Sequence, residues 1–212
     1  MDLVLAQAVV ALEVLQFGPS EKNKDDSRSC RFEPRHLMSS PAILDHVGRR
    51  MADIATRSCR GSGLIGIATS GIAWTAVTSL HAGLPMLYVR KTAEKLVSNK
   101  LIEGRPPEGG KLILIDDLLF AGECKREAIR IIRDHGFEVT DLIVIVDRQL
   151  QRRSDGPRIE DEFGLTLHRL ITMEEIVRHM IETGTITTEQ LEDLIRDYRH
   201  FDRWELPAFA AG

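Results

Sequence analysis

Residues 111–124 read Lys111-Leu-Ile-Leu-Ile-Asp-Asp-Leu-Leu-Phe-Ala-Gly-Glu-Cys124, and a helical pattern from Lys125 to His135 follows at once. The apolar run Leu112 to Ile115 is too short for a helix and has no polar alternation, the pattern of a parallel strand covered on both faces. It predicts a central strand. Asp116 and Asp117 are then expected at that strand's carboxyl end, with a loop through Gly122 leading into a helix. In open parallel sheets this edge, beside a helix N-terminus that attracts anions, is where ligands sit.

The flanking sequence repeats the unit. Gly63 to Ala68 reads as a strand, Thr69-Ser70-Gly71 as a tight turn, and Ile72 to Ala82 as a helix ended by Gly83. Leu84 to Arg90 is the next strand, and Leu142 to Val146 is another, running into Asp147-Arg148. Helix-separated strands in succession predict a parallel α/β fold. Ser40-Pro41 has the form of a helix start, a capping residue before a proline, with the helix extending to about Arg60. Phe17 to Arg35 reads as irregular, its stretch from Ser20 to Ser29 as a solvated loop. Lys91 to Gly110 is a long polar connection containing Pro106-Pro107, and its residues 92–108 are expected to form a mobile lid. The tail carries two capping-box patterns, Thr172 with Glu175 and Thr187 with Gln190, so two short helices are expected there, with Tyr198 and Trp204 as packing residues.

A chain of 212 residues with 43% apolar content can bury one α/β core, and one domain spanning residues 1–212 is expected. Lys and Arg number 28 against 32 Asp and Glu, a net charge of −4 with no long basic run, which gives nucleic-acid binding no electrostatic support. Cys30, Cys59 and Cys124 are widely spaced and form no CxxC, which points to reduced thiols in the cytoplasm and away from a disulfide framework or zinc site. Met1 to Leu15 carries Asp2 and Glu13 and lacks a basic leader, so it reads as an amphipathic helix packed on the domain. No stretch approaches the ~18 apolar residues that a membrane span needs.

Paired carboxylates followed by a glycine-containing turn suit a phosphorylated, hydroxylated ligand. The acids bind sugar hydroxyls or a magnesium ion, and the turn Phe120-Ala121-Gly122-Glu123-Cys124 offers amides to phosphate. Ala68-Thr69-Ser70-Gly71 offers a second set of amides, Arg90-Lys91 can neutralise a diphosphate, and Arg148 can take a carboxylate in bidentate fashion. All of these fall at the carboxyl ends of predicted strands, which argues for one site.

In Gly66-Ile-Ala-Thr-Ser-Gly-Ile72, Gly83-Leu-Pro-Met-Leu-Tyr-Val-Arg-Lys91, Ile102-Glu-Gly104, Leu114-Ile-Asp-Asp117 and Val146-Asp-Arg148, the chain resembles the type I phosphoribosyltransferases, and among them the orotate phosphoribosyltransferases. The resemblance extends to Leu37-Met-Ser-Ser-Pro41 and to Tyr198 through Trp204, and so covers nearly the whole chain. It implies a five-stranded parallel core over residues 61–170, a hood with N-terminal helices over 1–60, C-terminal helices over 171–212, and a homodimer. It further implies transfer of ribose 5-phosphate from magnesium-bound phosphoribosyl pyrophosphate to orotate. Asp116 and Asp117 would hold the ribose hydroxyls, Arg90 and Lys91 the pyrophosphate, and Arg148 the orotate carboxylate.

The sequence departs from the family pattern at Phe120, Glu123, Glu94 and Leu96, and in the hood the family's Lys-Ser-Gly has no clean counterpart in Lys22-Asn-Lys24-Asp-Asp. Phe120 stands where the family has a threonine, and Glu123 where it has a small or hydroxylated residue. In the mobile loop, Glu94 takes the place of a catalytic lysine and Leu96 that of a histidine, while Lys95 and Lys100 remain nearby. A carboxylate 4 Å from a phosphate charge costs about 4 kcal/mol at an effective dielectric near 20, a cost that Lys125, Arg126 or a Glu123 side chain turned to solvent would reduce. Three readings are therefore open: a divergent orotate phosphoribosyltransferase, an impaired relative that binds a nucleotide, phosphate or protein partner, or acts as a regulatory protein, without transferring ribose, and a transferase for another base.

Overall fold

The computed structural model describes residues 1–18, 29–90, 101–150 and 156–198. Lys91, Lys95 and Lys100, the departures Glu94 and Leu96, most of the polar loop and Trp204 lie outside them. At the centre is a six-stranded sheet in the order β5-β4-β3-β6-β7-β8. Its strands are β3 (Gly63–Ile67), β4 (Met86–Val89), β5 (Ile102–Glu103), β6 (Lys111–Leu119), β7 (Glu138–Asp147) and β8 (Thr166–Thr172). Strands β4, β3, β6, β7 and β8 are parallel, the five-stranded parallel core expected, and β5 adds an antiparallel edge. The run Leu112–Ile115 does lie in a central strand, fully buried.

Alternation along β6 divides the core between the two faces of the sheet. Ile113 and Ile115 join a cluster with Trp74, Met51, Val47 and Ile176, beneath helices α1 (Leu3–Ala11), α2 (Pro41–Arg57), α3 (Ser70–Ala82) and α6 (Met173–Glu182). Leu112 and Leu114 join Ile129, Ile132 and Ile159 beneath α4 (Glu123–Asp134) and α5 (Ile159–Phe163). The punctuation behaves as its chemistry requires. Ser40 caps α2 through Ile43 N, Gly83 ends α3 at φ 66°, and Thr172 and Glu175 close a reciprocal capping box on α6. Thr187 and Gln190 bond reciprocally at the start of α7 (Thr188–Tyr198).

Three local expectations are corrected. Phe17 to Arg35 is not wholly irregular, because β1 (Leu15–Phe17) and β2 (Cys30–Phe32) pair antiparallel, followed by a 3-10 turn at Pro34–Ser39. Ile102 and Glu103, assigned to the lid, pair with Val89 and Tyr88. Asp116 and Asp117 do not end their strand, since pairing with β7 continues to Leu119 opposite Asp147 and the turn begins only at Phe120. Strand β8 had no counterpart in the sequence reading.

Below the amino end of the sheet, Cys59, Asp141 and His168 come together, with one ligand-type atom from each within 4.8 Å of the others. Asp141 is fully buried and accepts from Arg60 N at 2.9 Å and Thr140 Oγ1 at 2.7 Å, with His168 Nε2 at 3.0 Å. Burial works against this charge, but the Arg60 amide, His168 and Thr140 outweigh it and hold the carboxyl below the ordinary range. Burial and the neighbouring Asp141 push the Cys59 thiol up to about 12.

Candidate active site

The carboxyl ends of β3, β4, β6 and β7 bring the sequence-assigned residues within the described part of the chain to one edge of the sheet. After β3, Ala68, Thr69, Ser70 and Gly71 turn into α3, with a cis peptide between Ala68 and Thr69. The turn packs tightly: a Cβ on Gly71 would meet Ile115 O at 2.9 Å and Asp116 Oδ1 at 3.4 Å. Glycine at 71 therefore lets this turn close onto the acidic pair.

Asp116 and Asp117 are 6% and 7% exposed. Asp117 hydrogen-bonds Ser70, and its carboxyl is raised above the ordinary range by burial first and by the Asp116 charge second, against the pull of Ser70 and Lys125. Asp116 is met by Lys125, whose Nζ lies 2.5 Å from Asp116 Oδ2 and donates to Leu118 O at 2.5 Å. From the sequence, Lys125 is expected to offset Glu123 and not to pair with Asp116. Its signal was nonetheless present, because Lys125 shares the buried face of α4 with Ala128, Ile129 and Ile132 at helical spacing.

From Phe120 to Cys124 the chain forms the turn into α4. Gly122 adopts φ 91°, open to glycine but rarely to other residues. Arg126 braces the turn, with Nη1 donating to Ala121 O at 2.7 Å while Nε pairs with Glu162 at 2.6 Å. Glu123 opens the helix as an exposed side chain, where the helix dipole favours an acid. Lys125 and Arg126, the two cations expected to offset Glu123, are both committed to other partners.

Arg148, at the end of β7, is 4% exposed. Its Nε and Nη2 donate to the Tyr198 hydroxyl, Nε at 3.0 Å, and its guanidinium lies 5.0 Å from the Phe120 ring centre and 5.6 Å from that of Tyr198. Burial pushes the Tyr198 hydroxyl pKa up, so it stays a neutral acceptor. Beside Arg148 is a cavity of about 330 Å³, walled by Cys30, Phe32 and Glu33 of the hood and by Leu118 and Phe120. It is large enough for a small planar acid. Arg90 ends β4 21% exposed, with Nη2 donating to the Tyr88 hydroxyl at 3.1 Å and 3.8 Å from Glu103.

This combination, a parallel sheet with an acidic pair, two glycine-bearing turns and a hooded cavity at one edge, defines a type I phosphoribosyltransferase. No protein-family model matches the chain. The orotate phosphoribosyltransferase of Caenorhabditis elegans is 30% identical over 162 residues, 76% of this chain and 70% of that protein. Among solved structures, the UMP synthase of Leishmania donovani superposes with a TM-score of 0.76 at 24% identity, covering 92% of this chain but only 41% of that one. The orotate phosphoribosyltransferase of Aeropyrum pernix superposes with a TM-score of 0.69 at 22% identity, covering 86% and 99%. The chain belongs to the orotate phosphoribosyltransferase family.

Proposed function

We propose that this protein transfers ribose 5-phosphate from phosphoribosyl pyrophosphate to a ring nitrogen of orotate, releasing pyrophosphate and forming orotidine monophosphate for pyrimidine synthesis. The observation that carries this reading is the meeting, at one sheet edge, of the buried Asp116–Asp117 pair with the turns at 68–71 and 120–124 and the cavity at Arg148. Asp116 and Asp117 accept the ribose hydroxyls. Amides from Phe120 to Cys124 receive the 5′-phosphate at the N-terminus of α4. The turn Ala68-Thr69-Ser70-Gly71 and Arg90 receive the diphosphate, joined by Lys91, Lys95 and Lys100 on the sequence assignment. Arg148 orients the orotate carboxylate, with Phe120 covering its guanidinium.

The transition state of such a transfer resembles a ribosyl oxocarbenium ion, so the protein's share is to align the nitrogen, screen the departing diphosphate and exclude water. Magnesium, when bound, neutralises the diphosphate. The carboxylates suit a hydrated ion that arrives on the diphosphate, because Asp116 Oδ2 already faces Lys125 at 2.5 Å. We also infer a homodimer and a cytoplasmic setting.

The direct test mixes the protein with magnesium, phosphoribosyl pyrophosphate and orotate and follows loss of orotate and appearance of its nucleotide. Formation of orotidine monophosphate is expected, and absence of turnover with tight binding of both ligands would favour a binding role. Sedimentation at micromolar concentration should give a dimer, and a single 23.8 kDa species would overturn that assignment.

A further inference from the structure

Cys59, Asp141 and His168 meet at the end of the sheet opposite the active-site edge. Cys59 follows α2, Asp141 lies near the amino end of β7, and His168 lies on β8 beside Ile143. No local motif joins these three segments. One ligand-type atom from each lies within 4.8 Å of the other two. His168 Nε2 stands 3.0 Å from Asp141 Oδ1, and the Cys59 thiol hydrogen-bonds the same carboxylate. The Asp141 side chain is 1% exposed and that of His168 16%, while Cys59 is half-buried. The carboxylate is therefore the floor of the group, and the thiol and imidazole form its rim.

The donor set selects one kind of ion. Magnesium and calcium prefer oxygen ligands alone, whereas thiolate, imidazole and carboxylate together suit zinc. A thiolate, a neutral imidazole and a carboxylate carry two negative charges, which a divalent ion cancels. Zinc–ligand bonds of about 2.0–2.3 Å set tetrahedral ligand atoms about 3–4 Å apart. Atoms already within 4.8 Å of one another reach that spacing with small side-chain movements. The carboxylate is also oriented in advance. Its Oδ2 accepts from Arg60 N at 2.9 Å and from Thr140 Oγ1 at 2.7 Å, which leaves Oδ1 facing His168. Outer hydrogen bonds of this kind fix a metal ligand and raise affinity. Arg60, the neighbouring cation, directs Nη2 at Thr140 O at 3.1 Å. A nucleophilic triad is the other common use of these residue types, but it places histidine between thiol and acid. Here the acid stands between the other two.

We propose that Cys59, Asp141 and His168 form a zinc site that ties the segment after α2 to strands β7 and β8. Binding sends the thiol proton to solvent and puts the ion where the His168–Asp141 hydrogen bond now lies. Among the described residues no fourth Cys, His or acid joins the group, so water completes the tetrahedron. The site stands apart from the phosphoribosyl chemistry, and its role is to hold the edge strand β8 against the domain.

The experiment strips the protein with EDTA and titrates it with cobalt(II), whose thiolate complexes absorb in the near ultraviolet, and then with zinc. One cobalt per chain is expected, with a thiolate-to-cobalt band that zinc removes. Zinc at about a hundredfold excess over its Kd should raise the thermal midpoint by about 5 °C. Cys59→Ser keeps the size of the side chain and a hydrogen bond to Asp141, and His168→Gln keeps a donor toward it. Cys59→Ser should abolish the band, and each variant should weaken zinc at least about tenfold and lose the thermal shift. If His168→Gln does not fold, Cys59→Ser decides alone. Cys124→Ser should keep the band. A band that survives Cys59→Ser but is lost in Cys124→Ser would put the metal on an exposed thiol and overturn the site. Absence of any thiolate band, or zinc stabilisation retained by Cys59→Ser, would overturn it equally.

Discussion

The guanidinium of Arg148 lies 5.0 Å from the centre of the Phe120 ring and donates to the Tyr198 hydroxyl. Phe120, aligned by the sequence resemblance with a family threonine, turns its ring toward the arginine and lines the same cavity. Such a contact is worth about 0.5–2 kcal/mol. Phe120→Ala should therefore raise the KM for orotate by about threefold to tenfold and change that for phosphoribosyl pyrophosphate much less. A larger effect on the phosphorylated substrate would assign the Phe120 ring to the phosphate and not to Arg148.

Tyr198 reaches Arg148 from the last described helix, fifty positions along the chain. Tyr198→Phe removes the acceptor while keeping the ring, so it should lower stability by about 1 kcal/mol and loosen orotate binding, with kcat less affected. Urea unfolding and steady-state kinetics separate the two. Unchanged values for both would mean that α7 does not hold the arginine.

Gly66 gives a sharp packing test. A Cβ there would stand 2.4 Å from Thr75 Oγ1 and 2.6 Å from Gly71 O, where the β3–α3 turn closes on the strand. Thr75 is fully buried and bonds Gly71 O at 2.6 Å, so neither neighbour has room to yield. Gly66→Ala should cost about 1–3 kcal/mol and displace the turn at 68–71. A variant with unchanged thermal unfolding would contradict this packing.

Much of this was legible from sequence where one physical signal dominated. Leu112–Ile115 had no polar alternation because β6 is buried on both faces, and Gly83 and Thr172 marked helix ends through conformational and hydrogen-bonding rules that act locally. The signal failed where structure depends on distant pairing. Strands β1 and β2 are three residues each and are stabilised by one another, so neither shows a period. Strand β8, Thr-Leu-His-Arg-Leu-Ile-Thr, borders the sheet half exposed, and its His168 and Arg169 hide the strand pattern while they pair with Asp141 and Asp147. Asp116 and Asp117 looked like the end of a strand because charges usually are, but Lys125 and Ser70 allow them to sit within it.

Two of the buried acids, Asp141 and Asp117, should leave opposite marks on stability. Asp141 titrates below the ordinary carboxylate range in the folded protein, so its contribution is present above that range and is lost as pH falls through it. Asp117 titrates above the ordinary range, so its protonated form favours folding and its contribution is lost as pH rises through the raised value. Against pH, Asp141→Asn should therefore cost most near neutrality and least in acid, whereas Asp117→Asn should stabilise near neutrality. Urea unfolding across that range decides, and identical pH profiles for both variants would contradict the two assignments.

The most direct test of the central claim is to titrate magnesium phosphoribosyl pyrophosphate and orotate separately into the unmodified protein, Asp117→Asn and Arg148→Met. The account predicts that Asp117→Asn weakens phosphoribosyl pyrophosphate by about tenfold to a hundredfold and spares orotate, and that Arg148→Met does the reverse. A single shared defect in both variants, or ligand losses exchanged between them, would contradict one site in which the acidic pair holds the sugar and Arg148 holds the base.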